Sequence, residues 1–505
     1  MEAPTRTTST GNAASAILIV LALGLAFRLI LAHVLPGSGF QVDRDAFHYW
    51  ADNLAKEGLF GFYQRDFFHD YTPGYMYFLA LVGILDGFLR GVVDLLTGVP
   101  LLGWLVDVPP LSLVAAGDLI KLPSLLADLV LGWLAWSMTR ELGAGRRAAL
   151  AAGAIAVFNP ISWFDSVVWG QVDSIGVIFL LLGVRELWRD RPERAAIFTV
   201  IAAIIKPQLG ILVPVVAAVT IRRALFPSGG HGADPAPGEP GAPDQGRTTT
   251  EWERTVRGPV RILTTGLAGL ITAVLVSLPF GLSVVDLVMQ VATAAGGYPY
   301  LTVNAYNPWA LFELNGAGLA ASGTWICDVI VAHTAGGSEC TQALMFGPVP
   351  ALAVGATLLL AAIAAITVAI ARRPDRLTIL VGVAVLALAF FVLPTRVHER
   401  YLYPFLALAA ILAAVSFRWR IAYVFLGLAT LANMYVVLTT IYSDNPGIAD
   451  WLGIGEQLKS PVGVAVVAVT HLVGLVWAGL QLREPAMARL RTEVGETTLA
   501  DGLPG

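Results

Sequence analysis

Charge is the scarcest ingredient of this chain. Of 505 residues only 13% are Asp, Glu, Lys or Arg, against 56% hydrophobic, and the mean hydropathy is +0.71. A soluble domain of this length would carry far more surface charge. The net charge of −4 has no basic excess, so nothing points to nucleic acid as a partner. Cysteine is nearly missing, with two residues in the whole chain, which rules out a scaffold built on disulfides. No spacing of His, Cys and Asp reads as a metal site, so no cofactor is expected, although a close pair of acids could hold a divalent cation through oxygen ligands. The first apolar run also lacks a small-residue cleavage site and is too long for a simple signal peptide, so it reads as a retained span.

What fills the chain is a series of apolar runs such as "ASAILIVLALGLAFRLILAHVL" and "PALAVGATLLLAAIAAITVAIA". Each is long enough to cross a hydrocarbon core of roughly 30 Å as a helix. The expected fold is all-α, a polytopic membrane protein of about 12–14 transmembrane helices. Arginines cluster at Arg140/Arg146/Arg147, Arg185/Arg189/Arg191/Arg194, Arg222/Arg223, Arg254/Arg257/Arg261, Arg372/Arg373/Arg376, Arg418/Arg420 and Arg483/Arg489/Arg491. The positive-inside rule makes these loops cytoplasmic and the others external.

The resulting map has a cytoplasmic N-terminus at 1–13 and an N-terminal helical module at 14–223 with a first external loop at 36–72. A Gly/Pro-rich cytoplasmic linker at 224–258 follows, without apolar periodicity. A second module covers 259–482 with an external loop at 282–346, and 483–505 is a solvated cytoplasmic tail. Parity fails once. A span at 73–89 would end inside, as must the span leading to Arg140, so "GVVDLLTGVPLLGWLVDVPP" has to recross or re-enter. Residues 194–221 carry arginines on both flanks and "KPQ" in the middle, which predicts two short helices meeting near a buried Lys206. Cys327 and Cys340 both fall in the external loop, where an oxidising compartment favours a disulfide over two free thiols.

Ionisable groups at a membrane edge are costly, and their default reading is functional. Asp43, Asp45, His69, Asp70, Asp165, Gln171, Asp173, Lys206, Arg396, His398, Glu399 and Arg400 all map at or near the external face. The stretch "VDRDAFHYW" puts Asp43 and Asp45 two residues apart. On an extended segment they would point the same way, and each would disfavour ionisation of the other. Aromatics of the same loop suit an interfacial helix, with Trp50 as a depth anchor. Trp169, Gln171 and Asp173 read equally well as a helix-packing polar cluster, Lys121 and Asp128 as a structural pair on one helix face, and Asn304, Asn307 and Trp309 as either sugar contacts or loop structure.

The order of "DRDAFHYWA", "DYTPGY", "NPISWFDSVVWGQVDSIGVIFLLLG", "IIKPQLGILVP", "NAYNPW" and "PTRVHERYLYPF" resembles the GT-C superfamily of lipid-linked-sugar glycosyltransferases. It is most similar to bacterial mannosyltransferase-like proteins related to the second mannosyltransferase of GPI-anchor synthesis. The resemblance implies a general base in the first external loop, here Asp43, with Asp45 supporting it. Related eukaryotic glucosyltransferases carry an Asp-Tyr-Pro-Pro motif where this chain has Asp70, Tyr71, Thr72 and Pro73.

The implied reaction is inverting transfer of a sugar, mannose first, from a polyprenyl-phosphate donor to an acceptor hydroxyl at the external face of the plasma membrane. The acceptor would be a glycan, a lipid or a protein. Arg396, His398, Arg400 and Lys206 would receive the phosphate. His69, Asp70, Tyr71, Trp169, Gln171, Asp173, Asn307, Glu399 and Tyr401 would line the substrates. The rival reading is a secondary transporter or lipid flippase using the acids as ion or proton sites. It predicts paired repeats with broken helices at the midplane, and no such repeat is visible.

Overall fold

The computed structural model describes residues 10–99, 101–226, 258–332, 339–445 and 448–502. Most of the linker expected at 224–258 and most of the N-terminal segment therefore lie outside the described residues. The described residues are largely helical, with α1 Thr10–Val34, α2 Gln41–Glu57, α3 Pro73–Thr97, α4 Leu122–Glu141, α5 Arg146–Phe158, α6 Asp173–Trp188, α7 Pro192–Ile205 and α8 Leu212–Leu225. There follow α9 Val260–Ser277, α10 Val284–Gly296, α11 Ala351–Arg372, α12 Arg376–Val392, α13 Tyr403–Val415, α14 Phe417–Val436, α15 Pro461–Leu480 and α16 Glu484–Gly502. One two-residue hairpin, Met345–Phe346 paired antiparallel with Val349–Pro350, stands just before α11. Among the described residues, eight helices are by themselves long and apolar enough to cross a bilayer. This is the all-α polytopic membrane fold that the apolar runs predict.

The arginine-flanked helix ends meet one another. Glu141 accepts from Arg185 and Arg189, Asp190 pairs with Arg223 and Arg261, Asp375 with Arg491, and Glu493 with Arg418. These bridges join α4, α6, α8, α9, α14 and α16 at one end of the bundle, so the arginine clusters share a face as the loop charges require.

The C-terminal segment departs from the expected solvated tail. It folds as α16, buries Met487, Leu490 and Val494, and accepts Gly145 N on Thr497 Oγ1 (2.8 Å). Its apolar residues recur every three or four positions, the period that lays one helix face on the bundle.

The parity problem is settled by α3. Its first turn packs at the end opposite the arginines, with Gly74 against Ile204 and Ile205 and Tyr77 OH donating to Val276 O (2.8 Å). Its other main partner is α2, and by Asp118 the chain is back at that same end, where Asp118 Oδ2 accepts Gly37 N (2.8 Å). Asp86, Arg90 and Asp94 lie along it beside exposed Leu81, Ile84 and Phe88, the mixture of an interfacial helix rather than a span. The span expected at 73–89 is therefore not a crossing. With it removed, α1, α4 to α9 and α11 to α15 alternate in direction without conflict among the described residues.

Inside the bundle, glycines set close helix approaches. A Cβ on Gly24 or Gly132 would lie 2.3 Å from the Val157 side chain, so α1, α4 and α5 can touch only because both are glycine. That contact also carries a buried ion pair. Arg28 Nε donates to Asp128 Oδ2 (2.9 Å) and its Nη2 to Val157 O (2.8 Å), while Ser166 Oγ (2.6 Å) and Tyr403 OH (3.0 Å) donate to Asp128. Lys121 is not Asp128's partner, because it pairs with Asp118 (2.9 Å).

Removing one member of a buried, fully bonded pair leaves a stranded charge, at about 3–5 kcal/mol. Asp128→Ala should therefore lower the melting temperature of the detergent-purified protein sharply, and the double change Arg28→Met with Asp128→Leu should recover much of the loss. Unchanged melting of the single variant would show that the pair contributes nothing.

Candidate active site

The loop "GSGFQVDRDAFHYW" becomes the start of α2, not an extended strand. Gly39 makes this entry possible, since at φ +140 a Cβ would strike the Arg44 side chain at 2.5 Å and Trp169 O at 2.7 Å. On a helix, positions two apart diverge by roughly 200°. Asp43 accordingly faces the bundle, while Asp45 is exposed and accepts from Gln41 Nε2 (2.6 Å). The expectation of two carboxylates pointing the same way from an extended segment is thus corrected.

Between them, Arg44 points inward to Asp118 (3.3 Å) and to Ser38 O (2.6 Å), a buried tether that fixes the start of α2. Trp50 is 2% exposed, with its indole nitrogen donating to Phe68 O (2.9 Å), so it is core rather than a lipid anchor.

Asp43 meets α5 and α6 through the segment between them. After Asn159 and Pro160, α5 continues through a π-helical turn, Phe164–Trp169, and ends on Gly170 at φ +85. Such single-turn π segments widen a helix and often stand at functional sites. This one delivers Gln171, whose Nε2 donates to Asp43 Oδ2 and whose Oε1 accepts from Tyr71 OH (3.1 Å). One amide therefore orients the acid and the Tyr71 phenol together.

Thr72, between Tyr71 and Pro73, donates its hydroxyl to Ile204 O (2.5 Å) at the last turn of α7. That carbonyl is one of the orphans a helix end leaves, and a proline could not have satisfied it.

Two residues beyond Gln171, Asp173 opens α6 and gathers the cations. Lys206 Nζ lies 2.7 Å from Asp173 Oδ2, and Arg400 Nε lies 3.8 Å from the same oxygen. Arg400 Nη1 also donates to Glu399 Oε1 (2.6 Å) and its guanidinium covers the Trp169 ring at 5.7 Å, while Lys206 sits 6.0 Å over Tyr401. Lys206 stands, as the "KPQ" reading predicts, at the break between α7 and the turn Pro207–Ile211 that leads into α8. Two cations thus meet on Asp173, two residues along the chain from the glutamine that holds Asp43.

Burial raises the Asp43 carboxyl above the ordinary carboxylate range, with Arg400, Lys206 and the Gln171 hydrogen bond pulling it back. Asp70 is pushed up to about 6 by burial and by the neighbouring Asp43 charge. His398 is held well below its usual value by burial and by Arg400 and Lys206, which keeps its imidazole neutral.

Residues 102–233 match glycosyltransferase family 87. The matched stretch contains Trp169, Gln171, Asp173 and Lys206, which is one wall of this site. Together with the fold, the match supports a membrane glycosyltransferase of the GT-C superfamily. A comparison with curated proteins finds no match.

The remaining candidates divide into two groups. Asp43, Asp70, Tyr71, Trp169, Gln171, Asp173, Lys206, Glu399, Arg400 and Tyr401 are brought together around the acid. His398 borders them, its ring 5.0 Å from Tyr401 and 5.6 Å from Tyr298. Arg396 instead clamps Asp328 with two nitrogens (2.8 and 3.1 Å), holding the segment between α10 and α11 against the turn before α13.

Asn307 is fully buried, donating to Phe391 O (3.0 Å) and accepting from Trp309 N (3.1 Å), bonds that shape the loop. The His69 ring packs among Phe62, Tyr63 and Phe67. Cys327 and Cys340 are joined in a disulfide. Asp118 went unmarked in the sequence although it ties Arg44, Lys121 and Gly37 together. Its signal in the sequence would have been a glycine, Gly117, just before it and Lys121 three residues on.

Proposed function

We propose that this chain transfers a sugar, mannose first among candidates, from a polyprenyl-phosphate donor to an acceptor hydroxyl at the external face of the plasma membrane. The observation that carries this reading is Asp43 held by Gln171, two residues before the Asp173 that gathers Lys206 and Arg400, at the end of the bundle opposite the arginine loops. The acceptor O–H loses its proton to the Asp43 carboxylate as its oxygen bonds to the anomeric carbon. The bond from that carbon to the phosphate oxygen breaks, and its electron pair leaves with the polyprenyl phosphate. A single displacement inverts the anomeric configuration.

Charge develops on the departing phosphate, where prearranged cations are worth most. Arg400 and Lys206 supply them, released from Glu399 and Asp173 as the phosphate arrives. His398, being neutral, offers a hydrogen bond rather than charge. Arg396 has its place in the Asp328 clamp, not at the phosphate.

The test is a transfer assay with purified protein and polyprenyl-phosphate mannose, parallel arms carrying arabinose and glucose donors. Formation of a glycosidic bond supports the reading. Substrate flux across vesicles with no bond formed would support a transporter and overturn it.

The pH dependence has a definite sign. A base with a raised pKa takes up its proton at a higher pH than an ordinary aspartate, so activity is lost as pH falls through that raised value. The acid limb of kcat/KM, which reports the free enzyme, should therefore stand above roughly pH 4, the unperturbed aspartate value. A limb at or below that value would show that Asp43 is not the titrating base.

A further inference from the structure

The two cations assigned to the phosphate are already paired within the chain. Lys206 Nζ stands 2.7 Å from Asp173 Oδ2, and Arg400 donates from Nη1 to Glu399 Oε1 (2.6 Å) with its Nε 3.8 Å from the same Asp173 oxygen. All four side chains are buried, at 8% exposure or less. Each positive charge therefore has an acid of its own, and a phosphate can reach either cation only by taking an acid's place.

What else holds the cations is neutral. The Arg400 guanidinium lies 5.7 Å over the Trp169 ring and Lys206 Nζ lies 6.0 Å over Tyr401, contacts that keep a cation placed while its carboxylate moves off. The acids, for their part, are rooted beside the cations. Asp173 is the first residue of α6, and Glu399 directly precedes Arg400 in the turn before α13.

Transfer sharpens the competition between acid and phosphate. The donor is a phosphodiester with a single negative charge, whereas the polyprenyl phosphate that departs keeps the electron pair of the broken C–O bond and carries about −1.5 to −2 at neutral pH. The acceptor proton stays on Asp43. Cations that stabilise this charge as it develops would also retain the product. An acid stripped of its cation is a bare buried charge, a costly state that ends when the pair forms again. We propose that Asp173 and Glu399 give way to the donor phosphate and then expel the polyprenyl phosphate by taking back Lys206 and Arg400. They act through the cations, as positioning residues for product release. This rests on the transferase reading above and adds the step that clears the site.

The test uses the full-length protein purified in detergent, with polyprenyl phosphate as the probe. Its binding is read by titration calorimetry, and its effect on turnover as product inhibition with polyprenyl-phosphate mannose as donor. Asp173→Asn and Glu399→Gln should each bind polyprenyl phosphate roughly tenfold more tightly than the unaltered protein, because a neutral amide competes less for a cation. Their first turnover should stay fast while later ones slow, a burst followed by a low steady rate. Damaged packing would weaken binding instead. Asp118→Asn supplies that comparison, since it removes a buried acid from a different pair of cations, Arg44 and Lys121, and should bring no gain in affinity.

Unchanged or weaker binding in the folded variants would overturn the proposal, as would an equal gain in Asp118→Asn. If Asp173→Asn does not fold, Glu399→Gln, which alters only the pair with Arg400, carries the comparison. Absence of any glycosidic product from the unaltered protein would count against the transferase reading itself, a result distinct from the binding comparison, which needs no transfer.

Discussion

Asp43→Asn should lower the transfer rate by about 10²–10⁴-fold, the usual contribution of a positioned general base. The substitution keeps the shape and can still bond to Gln171, so donor and acceptor binding should change little and the loss should appear in kcat. Asp45→Asn, only two residues away, should stay within about threefold of the unaltered protein, because its side chain leaves the opposite side of α2. Single-turnover rates of the two variants, measured side by side, check the contrast. Comparable losses in both would mean that α2 opens into an extended segment when substrate binds. Full activity in Asp43→Asn would remove the base assignment altogether.

Arg400→Ala should cost about 10²–10³-fold in kcat and in kcat/KM alike, the signature of an interaction that matters mainly in the transition state. The side chain is buried against Glu399 and Trp169 and faces Asp173, so its removal also leaves Lys206 as the sole cation on that aspartate. Arg400→Lys should recover only part of the rate, since a point charge cannot replace the planar fork that spans two phosphate oxygens and stacks on an indole. Steady-state kinetics with varied donor decides. A rise in donor KM with kcat intact would show that Arg400 binds the phosphate equally in both states and does not stabilise its departure.

Much of the site was legible because membrane-edge charge is conspicuous in a chain so poor in it. Lys206 stood out through its proline neighbour, Arg400 through its place outside the arginine loops, and Asp43 through its position just after the first span. The errors came from local geometry. Asp43 and Asp45 look alike as an alternating pair, and only the helix that begins at Gln41 turns them apart. Arg396 and Arg400 look alike in "RVHER", yet Arg396 is taken by Asp328, sixty-eight residues away in sequence. The aromatics of the first loop read as lipid anchors, whereas Phe47, Trp50 and Phe62 build a core beneath it.

By itself the sequence determined the membrane-spanning class, the sharing of one face by the arginine loops, the break at Lys206 and the end of the bundle where acids collect. Those properties are set by residues near one another along the chain, through hydropathy, charge and proline geometry. Only the tertiary structure decided that α3 does not cross, that Gln171 binds Asp43 over a separation of 128 residues, and that Arg400 meets Asp173 while Arg396 meets Asp328. Such choices depend on which distant helix ends pack together, and a one-residue turn of a helix moves a side chain by about 100°, from one set of partners to another.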